Sequence, residues 1–114
     1  MNRSWGRGSV VWATLDPVSG REQGGRRPAV VIASQDYLDA VTTLLIVVPV
    51  TTVDRGWPNH VLLRGGTGLE RASWAMTEQP RTVDRARLRS VAGGVDAATL
   101  AAIDVWLRDF LGVR

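Results

Sequence analysis

At 114 residues the chain has room for one domain, expected to span 1–114. Its 45% hydrophobic and 22% charged content excludes disordered and membrane-embedded classes, and the lack of cysteine excludes disulfides, thiolate metal sites and cysteine nucleophiles. The formal charge is +3 and all 14 basic residues are arginine. A guanidinium forks onto phosphate in a plane, which suits a polyanionic partner. A GC-rich genome writes the same bias, so the placement of the arginines has to decide. The longest apolar run, 44–50, is far too short to cross a bilayer, and residues 1–5 lead into glycine and arginine instead of an apolar signal core. The expected location is the cytoplasm, away from membranes.

Residues 9–15 form a β-branched apolar run that closes at Asp16-Pro17, a strand entering a loop. The loop 18–27 holds three glycines and no apolar period. Residues 29–33, opened by Pro28, read as a buried second strand, since proline is tolerated at a strand's first position. Residues 36–41 suit a turn or two of helix, and 44–52 is the most apolar strand. Pro49 inside it predicts a bulge or an edge position, because its ring cannot donate to a ladder. After a loop at 54–59, short strands are expected at 60–63, 73–77 and 88–92, a spacing that favours a small barrel over an open parallel sheet. From Asp96 the apolar period changes to three and four at Leu100, Ile103, Leu107 and Phe110 or Leu111. With Asp96 as N-cap and Gly112 as stop, this is one amphipathic helix. Trp12 and Trp106 are expected in the core, and His60, Trp57 and Trp74 in mainly structural roles.

The chemistry narrows by elimination. His60 is the only histidine, which rules out a two-histidine acid/base ribonuclease. The acids form no spaced set for Mg²⁺ or Zn²⁺, and no cofactor is implied. Arginine, hydroxyls and one carboxylate remain. The segment Glu22-Gln23-Gly24-Gly25-Arg26-Arg27-Pro28 is the richest: its glycines let backbone amides approach an anion, and Pro28 holds Arg27 extended. A solvated hairpin loop would also read this way.

This segment, preceded by Asp16-Pro17 and Gly20, resembles the opening of the MazF/PemK toxins. Pro49-Val50-Thr51-Thr52 followed by Gly56, Trp57-Pro58 and His60-Val61 resembles the family's next block. Glu78-Gln79 with Arg81-Thr82 and Leu88 is similar to the third, in family order and at family spacing. Two positions depart: Arg26 doubles the arginine before Pro28, and Pro80 stands where many members carry an aliphatic residue.

The resemblance implies an SH3-like small barrel of the CcdB/PemK type, mainly β with a C-terminal helix, that dimerises. It implies a toxin of a type II toxin-antitoxin system that cuts single-stranded RNA without a metal. The ribose 2′-hydroxyl attacks the adjacent phosphodiester, leaving a 2′,3′-cyclic phosphate and a 5′-hydroxyl. By the same match Arg27 faces the scissile phosphate and Thr51 hydrogen-bonds its developing charge, with Glu22 as base or as orienter of Arg27. Gln23, Gly24, Gly25, Arg26, Thr52, Gln79 and Arg81 are the expected RNA contacts, and a MazE-like antitoxin is the expected inhibitor. The alternatives are a CcdB-like poison that binds DNA gyrase without catalysis, and an SH3-like interaction module.

Overall fold

A computed structural model of the chain describes residues 3–15 and 25–113. Among the described residues, seven strands and two helices follow in order: β1 Ser9–Thr14, β2 Arg26–Val31, α1 Gln35–Ala40, β3 Leu44–Thr51, β4 His60–Leu62, β5 Trp74–Met76, β6 Arg81–Asp84, β7 Leu88–Gly94 and α2 Ala97–Leu111, with a 3-10 turn at Arg85–Arg87. All ladders are antiparallel, in the order β4-β5-β3-β2-β1-β7, and β6 adds to β3 off that path.

The middle strands are continuous apolar runs because both faces of the sheet are covered. On one face Val11, Ala13, Ala29, Val31, Leu45 and Val47 pack with Leu38 of α1 and Val83 of β6. On the other, Val10, Val30, Val48 and Val50 pack with Ala75 of β5 and with Ile103 and Leu107 of α2. Successive strand residues point to opposite faces, so a strand buried on both sides cannot afford polar alternation.

Pro49 neither bulges the strand nor lies at an edge, contrary to the sequence expectation. β3 is central, and Ala29↔Pro49, Val30↔Val48 and Val31↔Val47 keep one register against β2. Ile32 N–H donates to Ile46 O at 2.9 Å, so by alternation Pro49 occupies a non-hydrogen-bonded pair and turns its nitrogen away from β2. On that side β3 changes partner: 44–47 pair with β6 and 50–51 with β5. The residue without an N–H stands in the gap between two ladders, where no ladder bond is asked of it.

The ladders among the described residues do not run full circle, and β4 and β7 are the outermost strands. A few backbone bonds tie the two ends together instead. Gly94 N–H donates to Gly66 O at 3.0 Å, and Asp96 N–H to Arg64 O at 2.8 Å. This seam needs glycine. A Cβ on Gly68, whose φ is +75°, would lie 2.0 Å from Ala92 O, and one on Gly93 would lie 2.1 Å from Gly66 O.

The caps of α2 are those expected: Asp96 Oδ1 accepts from Thr99 N–H at 2.8 Å, and Gly112 ends the helix at φ 67°. Its last turn is largely exposed, Phe110 at 48% and Leu111 at 65%. Trp12 and Trp106 are half-buried and outside both core clusters, a second correction. The strand β6 was missed because Arg81–Asp84 carries a single buried apolar residue, Val83. β2 also starts two residues earlier than Pro28, since Arg26 and Arg27 pair with Thr14 and Ala13 of β1.

Candidate active site

Strand alternation sends the two adjacent arginines to opposite faces. Arg27, across from Ala13, leaves on the side of Ala29 and Val31; Arg26, across from Thr14, leaves on the other and lies 5.5 Å over the Trp12 ring. Both residues are exposed. The β2–β3 pairing stops at Ala29↔Pro49 because Pro28 has no N–H to give the next pair. Continued by two residues, the same register sets Arg27 opposite Thr51, again a non-hydrogen-bonded position. Arg27 and Thr51 thus share one face at the open end of two neighbouring strands.

Thr51 is half-buried, and its Oγ1 accepts the Val53 N–H at 3.1 Å. With an acceptor lone pair already used, the hydroxyl has its proton to donate. Trp74, its partner across β5, walls one side. Thr52 is exposed on the opposite face. Gly25, also exposed, enters β2 with nothing within 4 Å of the place a Cβ would take. Glu22, Gln23 and Gly24 lie outside the described residues.

Gln79 sits in the turn 76–79 that carries the chain from β5 to β6, beside the partner change at Pro49, and its N–H donates to Met76 O at 3.1 Å. Its amide nitrogen donates to Glu78 Oε2 at 3.2 Å. Glu78 also accepts from Asn59 Nδ2 at 2.8 Å and meets His60 Nε2 at 3.1 Å. Arg81 turns back to the carbonyl of Leu15, the residue after β1.

Arg81 has company there. Arg87 Nη1 donates to Thr14 O at 3.3 Å, and Arg89 Nε to Thr14 Oγ1 at 3.2 Å. Three guanidinium groups therefore converge on Thr14 and Leu15, next to Arg26 and Arg27 on the adjacent strand. Sequence reasoning passed over Arg87 and Arg89; the alternation Arg85, Arg87, Arg89 was the available signal. The sum is a strongly cationic end of the sheet with a hydroxyl donor in it, suited to a phosphodiester in its anionic or more highly charged transition state. Among the described residues no group of three His, Asp or Glu side chains is placed to hold a metal ion.

Residues 6–111 match the family described as PemK-like, MazF-like toxin of type II toxin-antitoxin system. The chain belongs to this family. The endoribonuclease toxin MazF of Escherichia coli K12 is 34% identical over 106 residues, 92% of each chain. Endoribonuclease EndoA of Bacillus subtilis is 36% identical over 101 residues, 86% of each. The crystal structure of MazF from Deinococcus radiodurans superposes with a TM-score of 0.80 at 32% identity, covering 98% of this chain and 100% of that one. A MazE-MazF crystal structure from the same organism gives 0.82 at 31%, covering 99% and 100%. The family thus carries the mainly antiparallel sheet and single long helix seen here. No helix among the described residues is long and apolar enough to cross a membrane.

Proposed function

We propose that this chain is the toxin of a type II toxin-antitoxin pair, a cytoplasmic endoribonuclease that cuts single-stranded RNA by way of the substrate's own 2′-hydroxyl. Relatives at 34% and 36% identity bear the name endoribonuclease, and a structural neighbour is a MazE-MazF complex. The mechanism is supported by the β2–β3 register, which, extended past Ala29↔Pro49, sets Arg27 and Thr51 on one face of the strand ends.

In this reaction the 2′-oxygen forms a bond to phosphorus, the bond from phosphorus to the 5′-oxygen breaks, and the products are a 2′,3′-cyclic phosphate and a 5′-hydroxyl. The nucleophile is already tethered, so alignment alone is worth on the order of 7–11 kcal/mol in well-oriented cases. Arg27 clamps the non-bridging oxygens, whose charge grows in the transition state, and Thr51 donates its hydroxyl proton to one of them. A guanidinium stays protonated at neutral pH, so Arg27 is a clamp and not a base. Glu22 takes the 2′-hydroxyl proton, and the departing 5′-oxygen gains one from solvent. None of these steps calls for a metal.

Gly25, Arg26, Thr52, Gln79 and Arg81, with Gln23 and Gly24, hold the flanking nucleotides, and a second copy of the chain lengthens the groove. A MazE-like antitoxin with an acidic segment competes for the same cationic surface. The deciding experiment incubates the purified protein with a long defined RNA in excess EDTA and maps the ends. Cuts bearing 2′,3′-cyclic phosphates are expected; an RNA left whole returns the chain to the gyrase-binding reading.

A further inference from the structure

Of the two arginines before Pro28, Arg26 has a setting of its own in the fold. Arg26 lies over the Trp12 ring, on the face of the sheet opposite Arg27. Trp12, half-buried and paired with Pro28, forms the floor of a cleft of about 330 Å³. Pro28 and Leu69 add apolar lining, and the polar residues Thr52, Glu70 and Arg71 also line it. Small-molecule sites combine a mostly apolar lining with a few polar groups in this way, and the volume is at the small end of their range.

The location matters as much as the lining. Pro28 and Thr52 each follow by one residue the pair assigned to the phosphate, Arg27 and Thr51. Because strand residues alternate, the cleft opens on the other face of the same strand ends. A single strand of RNA that rounds the end of β2 and β3 presents its phosphate to one face and a neighbouring base to the other.

We infer that this cleft takes one unstacked nucleobase next to the cleaved linkage, laid on the Trp12 ring and covered by Arg26. The inference rests on the proposed ribonuclease function and deepens it. An unpaired base has an exposed π-face that stacks on tryptophan and on a guanidinium plane alike. In the free protein the Arg26 guanidinium lies 5.5 Å from the Trp12 ring centroid, a cation–π contact beside the cleft's lining residue. On binding the guanidinium moves onto the outer face of the base. Glu70, an acceptor only, favours a base edge that offers an amino or imino proton.

The test is cleavage of a short RNA with one cut site, with an abasic nucleotide placed in turn at the two positions on either side of the cut. Wild type, Trp12→Leu and Arg26→Gln are compared. One abasic position is expected to slow the wild type by about 5- to 100-fold, the range for a lost base–aromatic stack. The same substitution should add little in Trp12→Leu, which has already lost the platform, and less than the full effect in Arg26→Gln. Should both variants respond to the abasic series as the wild type does, or should no abasic position matter, the inference falls. If Trp12→Leu fails to fold, Arg26→Gln carries the comparison alone, because its side chain is exposed. A 2-aminopurine at the sensitive position is then expected to be quenched less by the variant, and equal quenching overturns the idea. Sedimentation of the variants adds a separate outcome: dissociation with an unaltered abasic response would make the cleft a contact between copies of the chain. An RNA left whole by the wild type would remove the ribonuclease function itself, a result distinct from one cut equally well with and without the base.

Discussion

His60 Nε2 stands 3.1 Å from each carboxylate oxygen of Glu78, and the Trp57 ring lies 4.7 Å from the imidazole. The pair ties the start of β4 to the turn after β5. Burial of Glu78 works to raise its pKa, yet hydrogen bonds from His60, its own backbone and Gln79, with the attraction of His60, together hold it below the ordinary 4.5. A depressed carboxylate contributes stability that is present above its unfolded pKa and is lost as pH falls through the folded value. Melting temperatures from about pH 7 down to about pH 3 should therefore fall more steeply for the wild type than for Glu78→Gln, with the two curves converging in acid. Parallel curves would mean that the pair contributes nothing to folding.

Removing either group proposed to meet the phosphate, Arg27 or Thr51, should cost rate and leave the fold intact. Thr51→Val keeps the β-branched shape and deletes only the hydroxyl, and Val53, whose N–H loses that acceptor, is 52% exposed and open to water. Cleavage by Thr51→Val and by Arg27→Ala is expected to drop on the order of 10²–10³-fold, with thermal melts nearly unchanged. Wild-type rates in either variant would displace that residue from the reaction.

Salt reports on the arginines as a group. Three guanidiniums gather at Thr14 and Leu15 beside Arg26 and Arg27, so binding of an uncleavable 2′-deoxy oligonucleotide should weaken linearly in log–log form as salt rises. Substituting Arg89 by Gln should reduce the slope by about 1 if it meets a phosphate. An unchanged slope would leave Arg89 a brace for Thr14.

Arg85 has a structural task that composition hides. It bonds the carbonyls of Leu38, Val41 and Leu44, at the C-terminal end of α1 and the start of β3, and α1 has no basic residue of its own in its last turn. Arg85→Ala should lower stability by about 2–3 kcal/mol in urea unfolding, since half-buried carbonyls lose a charged donor. Activity per folded molecule should persist.

The seam between the loop after β4 and the end of β7 predicts an intolerant glycine. Gly68→Ala places a Cβ against Ala92 O in a left-handed backbone conformation, and should cost on the order of 3–5 kcal/mol. Gly56→Ala is the control, because its φ is also positive, at +70°, but nothing lies within 4 Å. A similar loss in both would assign the effect to backbone conformation alone.

Local signals by themselves settled much of this protein. The β-branched runs, the loop chemistry and the switch to a helical period with Asp96 and Gly112 at its ends are properties of neighbouring residues, so β1 to β3 and α2 were legible in the chain. Which residues meet was not. Pro49 reads as a defect along the strand, and only the change of partner from β6 to β5 removes the need for its N–H. Arg26 and Arg27 are alike in sequence, and β2 separates them by sending one to Trp12 and the other to the face of Thr51. Arg81, Arg87 and Arg89 reach Thr14 and Leu15 across more than sixty positions of chain. Periodicity encodes which face a residue takes, but pairing register and long-range convergence depend on how the whole sheet closes around its core, and no window of sequence contains that.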